Sequence, residues 1–395
     1  MKFVFYTNII SPHQLPLARE LVFRLGAANY RYVYLFDVGR ERSSLGWGGD
    51  RPNWCVSATS PEGREWLENA DFMLCGYRDI GIMERRAAKG LRMVYVSERW
   101  FKPWIGILRL LHPGYFWMAC RFVRLIKTGK VSYLPMGVWA ARDMARLVGF
   151  FSGDVRCLFR APKLEYVPEP MGSIKGYSWM KMWGYFVSPA ATNPIPAQEA
   201  NESSARALRV LWVGRLLRLK RVDTLFKAIY AAQTRYPITL TIVGMGPELL
   251  RLKALDLKLT KKYGIVSPIT YHPAVPVAEV RTFMRAHDVY VLPSNAYEGW
   301  GAVVSEALEE GMEVFGTHEA GSSATILPRE NRFHTGDWQT LRDKLVCYAQ
   351  TRRRHCHGIE KWNAKYAAEE LVTFCSYIKN TLHMEGAYDA CTVDR

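Results

Sequence analysis

The sequence predicts an α/β protein built from two doubly wound parallel sheets. Short apolar strands alternate with segments of helical periodicity in both halves of the chain. The length, 395 residues, suffices for two ordinary domains. A run rich in Pro, Ala, Asn and Ser from Ser188 to Ser204 separates the halves and reads as a linker. The expected division is an N-terminal domain over 1–190, a linker over 191–204, a C-terminal domain over 205–360, closing helices over 361–382 and a loose tail over 383–395.

In the first half, KFVFYTN (2–8) reads as a buried strand. LPLARELVFRLGA (15–27) follows with helical spacing and a Gly near its end. YRYVYLFDV (30–38), ADFMLCGYRD (70–79) and LRMVYVSE (91–98) supply further strands, with a helix from Ile82 to Lys89. The stretch from Trp100 to Lys130 contains no acid and is aromatic, aliphatic and basic. Pro103 and His112-Pro113-Gly114 are expected to break it into two short amphipathic pieces. The strand–helix pattern returns weakly over 132–151.

The second half alternates more cleanly. LRVLWVG (208–214), ITLTIVG (238–244), ITYHP (269–273), VYVLPS (289–294) and MEVFGT (312–317) are strands. VDTLFKAIYAAQTR (222–235), PELLRLKALDLKLTKKYG, Glu279–His287 and AVVSEALEEG are helices between them. Ligands of such sheets bind at the carboxyl ends of the strands. The loops of interest are therefore GRLLRLKR, GMGPE and PSNAYEGWG.

Composition narrows the partners. Hydrophobic residues make up 49% and charged residues 23%, the balance of a globular protein with real cores, and the formal net charge is +16. An anionic partner follows: a nucleotide, a phosphate-bearing acceptor, nucleic acid or an anionic membrane. The eight cysteines form no CxxC pair, so a reducing compartment is expected and neither a zinc site nor a disulfide framework is suggested. RRRHCHG reads as a basic helix end or loop rather than a metal site. The first residues lack the apolar run of a signal peptide, and no stretch of 18 apolar residues appears.

In GRLLRLKR, Gly214 ends a strand, and Arg215 and Lys220 offer a planar fork and a point charge to phosphate oxygens. Arg218 and Arg221 are expected to face solvent. Gly244 and Gly246 make a partial Gly-rich turn, weak evidence for a nucleotide by itself, with Pro247 expected in the first helical turn. In YEGWGAVVSEALEEG, Glu298 lies in the loop and Glu306 in the second turn of the helix. The helix start near Gly301 and Ala302 is a natural phosphate site, and Gly299 and Gly301 keep its approach open. The two acids suit hydroxyls of a transferred sugar and a ribose diol. Acid–base hydrolysis is the alternative, but a phosphate site between them fits a leaving diphosphate better. Trp300 either packs under the loop or narrows a sugar pocket.

LWVGRLLRLKRVDTLFKAI, LTIVGMGPELLRL and DVYVLPSNAYEGWGAVVSEALEEGMEVFGTHEAGS, in that order over 208–325, resemble the C-terminal domain of family 4 retaining glycosyltransferases. The resemblance implies the GT-B fold, two Rossmann-like domains facing across a cleft. It implies transfer from a nucleotide-sugar donor, uridine- or guanosine-linked, with retained configuration and neither metal nor cofactor. Arg215, Lys220 and Glu298 match its catalytic positions. Donor binding falls to Gly214, Arg215, Lys220, Gly244, Gly246, Glu298, Gly299, Trp300, Gly301, Ala302 and Glu306, with Glu298 on the sugar and Glu306 on the ribose. The chain departs from the pattern at Arg221, where a Gly usually follows the motif Lys, and in HEAGSSATI and the N-terminal half. SERWFK (97–102) and KMWGYF (181–186) look similar to a subgroup associated with bacterial capsule and surface polysaccharides.

In the N-terminal half, Asn8, Ser11 and His13 follow the first strand, and Ser97 and Glu98 end another; all five are candidates for the acceptor side. His13 is alternatively a capping residue, and Glu98 a partner of Arg99. Segment 100–130 reads either as an interfacial element on anionic lipid or as two core helices with basic edges. The expected location is the cytoplasm, with peripheral attachment to the inner face of the membrane. Two rivals are a non-catalytic nucleotide- or glycan-binding protein on the same fold and a nucleic-acid binder; no nucleic-acid motif supports the latter.

Overall fold

The computed structural model describes residues 1–43, 47, 51–103, 106–159, 172–174, 177–179, 206–355 and 364–376. The linker, the tail and KMWGYF lie outside them. Two open sheets account for the architecture. The first comprises β1 (Phe3–Thr7), β2 (Tyr30–Tyr34), β3 (Cys55–Ser57), β4 (Phe72–Cys75), β5 (Arg92–Ser97), β6 (Val131–Pro135), β7 (Gly172–Ile174) and β8 (Tyr177–Trp179), in the order β3-β2-β1-β4-β5-β6-β8-β7. All pairings are parallel except β7 with β8. The second holds β9 (Leu208–Val213), β10 (Ile238–Val243), β11 (Ile269–His272), β12 (Val289–Leu292), β13 (Glu313–Thr317) and β14 (Arg332–Phe333), all parallel, in the order β11-β10-β9-β12-β13-β14.

Both sheets are covered on both faces, which is why their central strands read as unbroken apolar runs. β1, β4 and β12 are buried at every position. In the second sheet, Val210, Trp212, Ile229 and Leu240 pack on one face, and Leu211, Tyr290, Val304 and Val314 on the other. The helix over 364–376 returns to the first domain: Ala367, Leu371 and Phe374 pack with Phe3, Leu17 and Leu21. This part of the expected closing helices thus packs on the first strand and first helix of the chain.

Segment 100–130 divides at His112-Pro113-Gly114, as expected, into a short helical piece over Gly106–Leu111 and the longer helix Pro113–Lys127. His112 caps the second piece, its Nδ1 accepting from Tyr115 N at 3.4 Å, and Pro113 opens it. Pro tolerates the first turn because its missing N–H would be unpaired there anyway. Tyr115, Phe122, Val123 and Ile126 join the first core, while Leu108, Leu111 and Trp117 stay exposed. No helix among the described residues is long and apolar enough to cross a membrane.

Candidate active site between the two sheets

The second sheet reverses its strand order between β9 and β12, and the loops after these strands carry the expected donor residues. Asn295 N donates to Leu219 O at 2.9 Å and so pins one loop to the other. Lys220 Nζ then reaches Glu298 Oε2 at 2.6 Å. Arg215 projects from the same basic loop, exposed and without an ion pair among the described residues.

Arg221, expected in solvent, is half-buried and in the left-handed region at φ 49, with its Nε 3.2 Å from Asp223 Oδ1. The backbone there favours glycine, which accounts for the Gly of the family pattern; here the ion pair accompanies a strained side-chain-bearing residue. Arg218 is exposed as expected.

Gly244 and Gly246 bring backbone against backbone. A Cβ at Gly244 would lie 1.9 Å from Gly214 O, and one at Gly246 2.5 Å from Leu216 O. Gly214 N bonds Val243 O at 3.0 Å and Leu216 N bonds Met245 O at 2.9 Å. The glycines therefore serve first to close the two loops on each other. Pro247 precedes the helix Leu249–Tyr263, whose cap is Glu248, and is not in its first turn.

The loop after β12 meets the first domain. Glu98 Oε1, beyond β5, accepts from Trp300 N at 3.1 Å. A Cβ on Gly299 would lie 2.1 Å from Glu98 Oε2, so the space beside Gly299 holds a carboxylate of the other domain and is not open to a phosphate. Gly301, at φ 84, does need its missing side chain, since a Cβ would lie 2.9 Å from Leu292 Cδ2. Ala302 caps the short helix Val303–Glu309 without a side-chain bond. Trp300 is fully buried and packs toward Gly137, at the start of the first-domain helix Val138–Phe150. It supports the loop and does not wall an open pocket.

His13 Nδ1 lies 3.1 Å from Glu306 Oε1, a second bridge between the domains. Burial pushes the Glu306 carboxyl up, but the His13 hydrogen bond and charge, with the charge of Arg281, hold it below its usual range. Glu98 is raised, by burial first and further by the charge of Glu298. The cleft thus gathers Glu98, Glu298, Glu306, His13 and Lys220, with Arg215 on the adjoining loop.

The other acceptor-side candidates are engaged locally. Ser97 Oγ accepts from Trp100 Nε1 at 3.2 Å and pairs with Tyr133 OH at 3.0 Å. Ser11 Oγ accepts from His13 N at 3.3 Å and orients that loop. Asn8 is exposed, with its carbonyl taken by Phe36 N at 2.7 Å. Trp139, Thr325 and His318 were not among the expected residues, yet they link the domains: Trp139 Nε1 donates to His318 O and Val138 N to Thr325 Oγ1, both at 3.1 Å. Only the position of Trp139 in a loop-to-helix start after a strand hinted at this.

Residues 197–345 match the family described as Glycosyl transferases group 1. The chain is 36% identical over 124 residues to a D-inositol 3-phosphate glycosyltransferase of Arthrobacter sp. (strain FB24), covering 31% of this chain and 29% of that protein. It is 29% identical over 171 residues to the protein of that name from Paenarthrobacter aurescens (strain TC1), covering 40% and 41%. The chain thus spans less than half the length of these relatives. Among solved structures it is similar to Anabaena HepE in complex with UDP (TM-score 0.58, 15% identity, 97% of this chain and 100% of that one). It is also similar to the lipopolysaccharide outer core galactosyltransferase WaaB in its apo form (TM-score 0.58, 14% identity, 96% and 100%). The chain therefore has the GT-B fold, and its residues 197–345 are similar to the family described as Glycosyl transferases group 1.

Proposed function

We propose that the protein is a retaining glycosyltransferase. It moves a sugar from a uridine- or guanosine-diphosphate donor to a glycan or lipid-linked acceptor in surface-polysaccharide synthesis. The observation that carries the reading is the meeting of Lys220 and Glu298 at the switch point of the second sheet, directly against Glu98 of the first.

In this reading the donor diphosphate takes Lys220 from Glu298 and engages Arg215. Glu298, released, accepts from hydroxyls of the sugar. Glu306 accepts from the ribose diol while keeping His13, since a carboxylate has acceptor capacity for both. The bond from the anomeric carbon to phosphate breaks, and the acceptor oxygen bonds that carbon from the same face. The acceptor proton passes to the departing phosphate oxygen. Arg215 and Lys220 stabilise the charge that builds on the leaving group. No protein nucleophile and no metal enter the scheme.

The test is incubation with uridine- and guanosine-diphosphate sugars, with the anomeric configuration of the product read by NMR. Retention is expected, with most turnover lost in Glu298→Ala and Arg215→Ala. Inversion, or wild-type turnover in either variant, contradicts the reading. Absence of both transfer and donor hydrolysis in the wild type favours the non-catalytic binder.

Attachment to an anionic membrane is a second part of the proposal. Leu108, Leu111 and Trp117 are exposed at 58%, 78% and 59%, and Arg121, Arg124 and Lys127 line the exposed side of the same helix as Trp117. Co-sedimentation with phosphatidylglycerol vesicles at low salt should be lost in Trp117→Gln. Equal binding of that variant, or none by the wild type, removes this part.

A further inference from the structure

Arginines gather on the first-domain side of the cleft rim. Arg99 directly follows Glu98, and Arg142 and Arg146 lie one and two turns into the helix that starts against Trp300. Positions 139, 142 and 146 share one face of that helix. The Arg99 and Arg142 guanidiniums each lie 5.8 Å from the ring of Trp139, which is fixed across the cleft by its bond to His318 O.

One carboxylate answers this charge. Asp143 is buried and accepts from Arg99 Nε at 3.3 Å, Arg99 Nη2 at 3.4 Å and Phe101 N at 3.0 Å. Arg142 is exposed, and neither it nor Arg146 has an ion pair among the described residues. Arg146 Nε is buried with no hydrogen-bond partner there. Its guanidinium sits below the ordinary arginine range, by burial first and then by the charges of Arg142 and Arg99. Three guanidiniums against one carboxylate, one of them with a buried N–H unmet, is an unfavourable arrangement until an anion arrives.

We propose that Arg99, Arg142 and Arg146, ordered by Asp143 and Trp139, form a subsite for a phosphate ester on the acceptor. Guanidinium forks match phosphate oxygens with paired N–H donors, and the Trp139 ring holds two of the forks in place. The subsite is separate from Arg215 and Lys220, which serve the donor diphosphate. It rests on the reading of the cleft as a transferase site, because it identifies the acceptor side of that cleft as phosphate-binding. The phosphate is borne either by a soluble sugar phosphate or by a lipid carrier.

The test is calorimetric titration of the full chain, held in saturating UDP so that the donor site is filled, with inorganic phosphate and with dodecyl phosphate below its micelle concentration. Wild type is expected to bind, and R142Q and R146Q are each expected to weaken binding about tenfold, the order of one charged hydrogen bond. UDP affinity should stay within about twofold in both variants, since neither residue belongs to the donor site. R142Q changes an exposed side chain, so it keeps the test valid if R146Q folds poorly. Much tighter binding of dodecyl phosphate, lost in the variants, assigns a lipid carrier; similar binding of the two probes assigns a soluble ester. Phosphate binding unchanged in both variants, or absent from the wild type, overturns the subsite. If UDP fails to bind while the phosphate probes still respond to R142Q, the donor reading fails and the subsite stands.

Discussion

Lys220 Nζ and Glu298 Oε2 lie 2.6 Å apart although 78 residues separate them. Each answers the other's charge in a half-buried site, so neither stands isolated before a donor arrives. A diphosphate that takes Lys220 sets Glu298 free for the sugar that the diphosphate carries. Phosphate binding and sugar recognition are thereby coupled through one ion pair.

The coupling predicts that Glu298→Gln separates binding from chemistry. UDP, which lacks the transferred sugar, should bind as tightly as to the wild type or up to about tenfold tighter, because its competitor for Lys220 is gone. Turnover should fall by about 10²-fold, the usual size for losing a group that acts on the transition state. Calorimetry and steady-state kinetics on the same preparation check both.

Arg215 is exposed and unpaired among the described residues, so its removal should leave the fold alone. Arg215→Ala should change stability by no more than about 0.5 kcal/mol in urea denaturation. UDP affinity should fall about tenfold or more. A variant destabilised by several times that amount, with normal affinity, reassigns Arg215 to structure.

Gly299 faces Glu98 across the domains, and a Cβ would lie 2.1 Å from Glu98 Oε2. Gly299→Ala should displace that carboxylate from Trp300 N and destabilise the closed pair of domains by about 1–3 kcal/mol. Adding Glu98→Ala removes the clash, so the double variant should recover part of the loss. A double-mutant cycle on thermal unfolding measures the coupling, and strict additivity contradicts the contact.

Glu309, on the same helix as Glu306, gives a pH signature. Burial raises its carboxyl from 4.5 to about 7, against the lowering bond to Arg281 and with Glu306 and Glu310 pushing further up. A carboxyl raised on folding holds its proton in the native state while the unfolded chain has released it. The contribution of Glu309 to stability is then fully present below about 4.5 and is lost as pH rises to about 7, by at most about 3 kcal/mol. Denaturation of Glu309→Gln should lack this fall over the same window.

The sequence makes the second sheet legible because strands buried on both faces are nearly continuous apolar runs, as VYVL in VYVLPS and VLWV in LRVLWVG are. It hides elements that are short or lie at an edge: β3 has three residues and β14 two, too few for any period. The helix Pro61–Asn69 is not among the expected elements although its start is written plainly, with Ser60 accepting from Gly63 N at 3.0 Å and Pro61 in the first turn. Glu298, Glu306 and Lys220 stand out by spacing, but their partners do not. That Gly299 is small for Glu98, or that Glu306 meets His13, depends on how two sheets approach each other across hundreds of residues, and local patterns carry no such information.

The most direct test of the account is calorimetric titration of UDP into the wild type and into the Arg215→Ala/Lys220→Ala double variant. Saturable binding at one site is expected in the wild type, with a loss of about a hundredfold or more in the variant and both proteins folded. Equal UDP affinity in the two proteins, or none in the wild type, would contradict a donor site at the switch point of the second sheet.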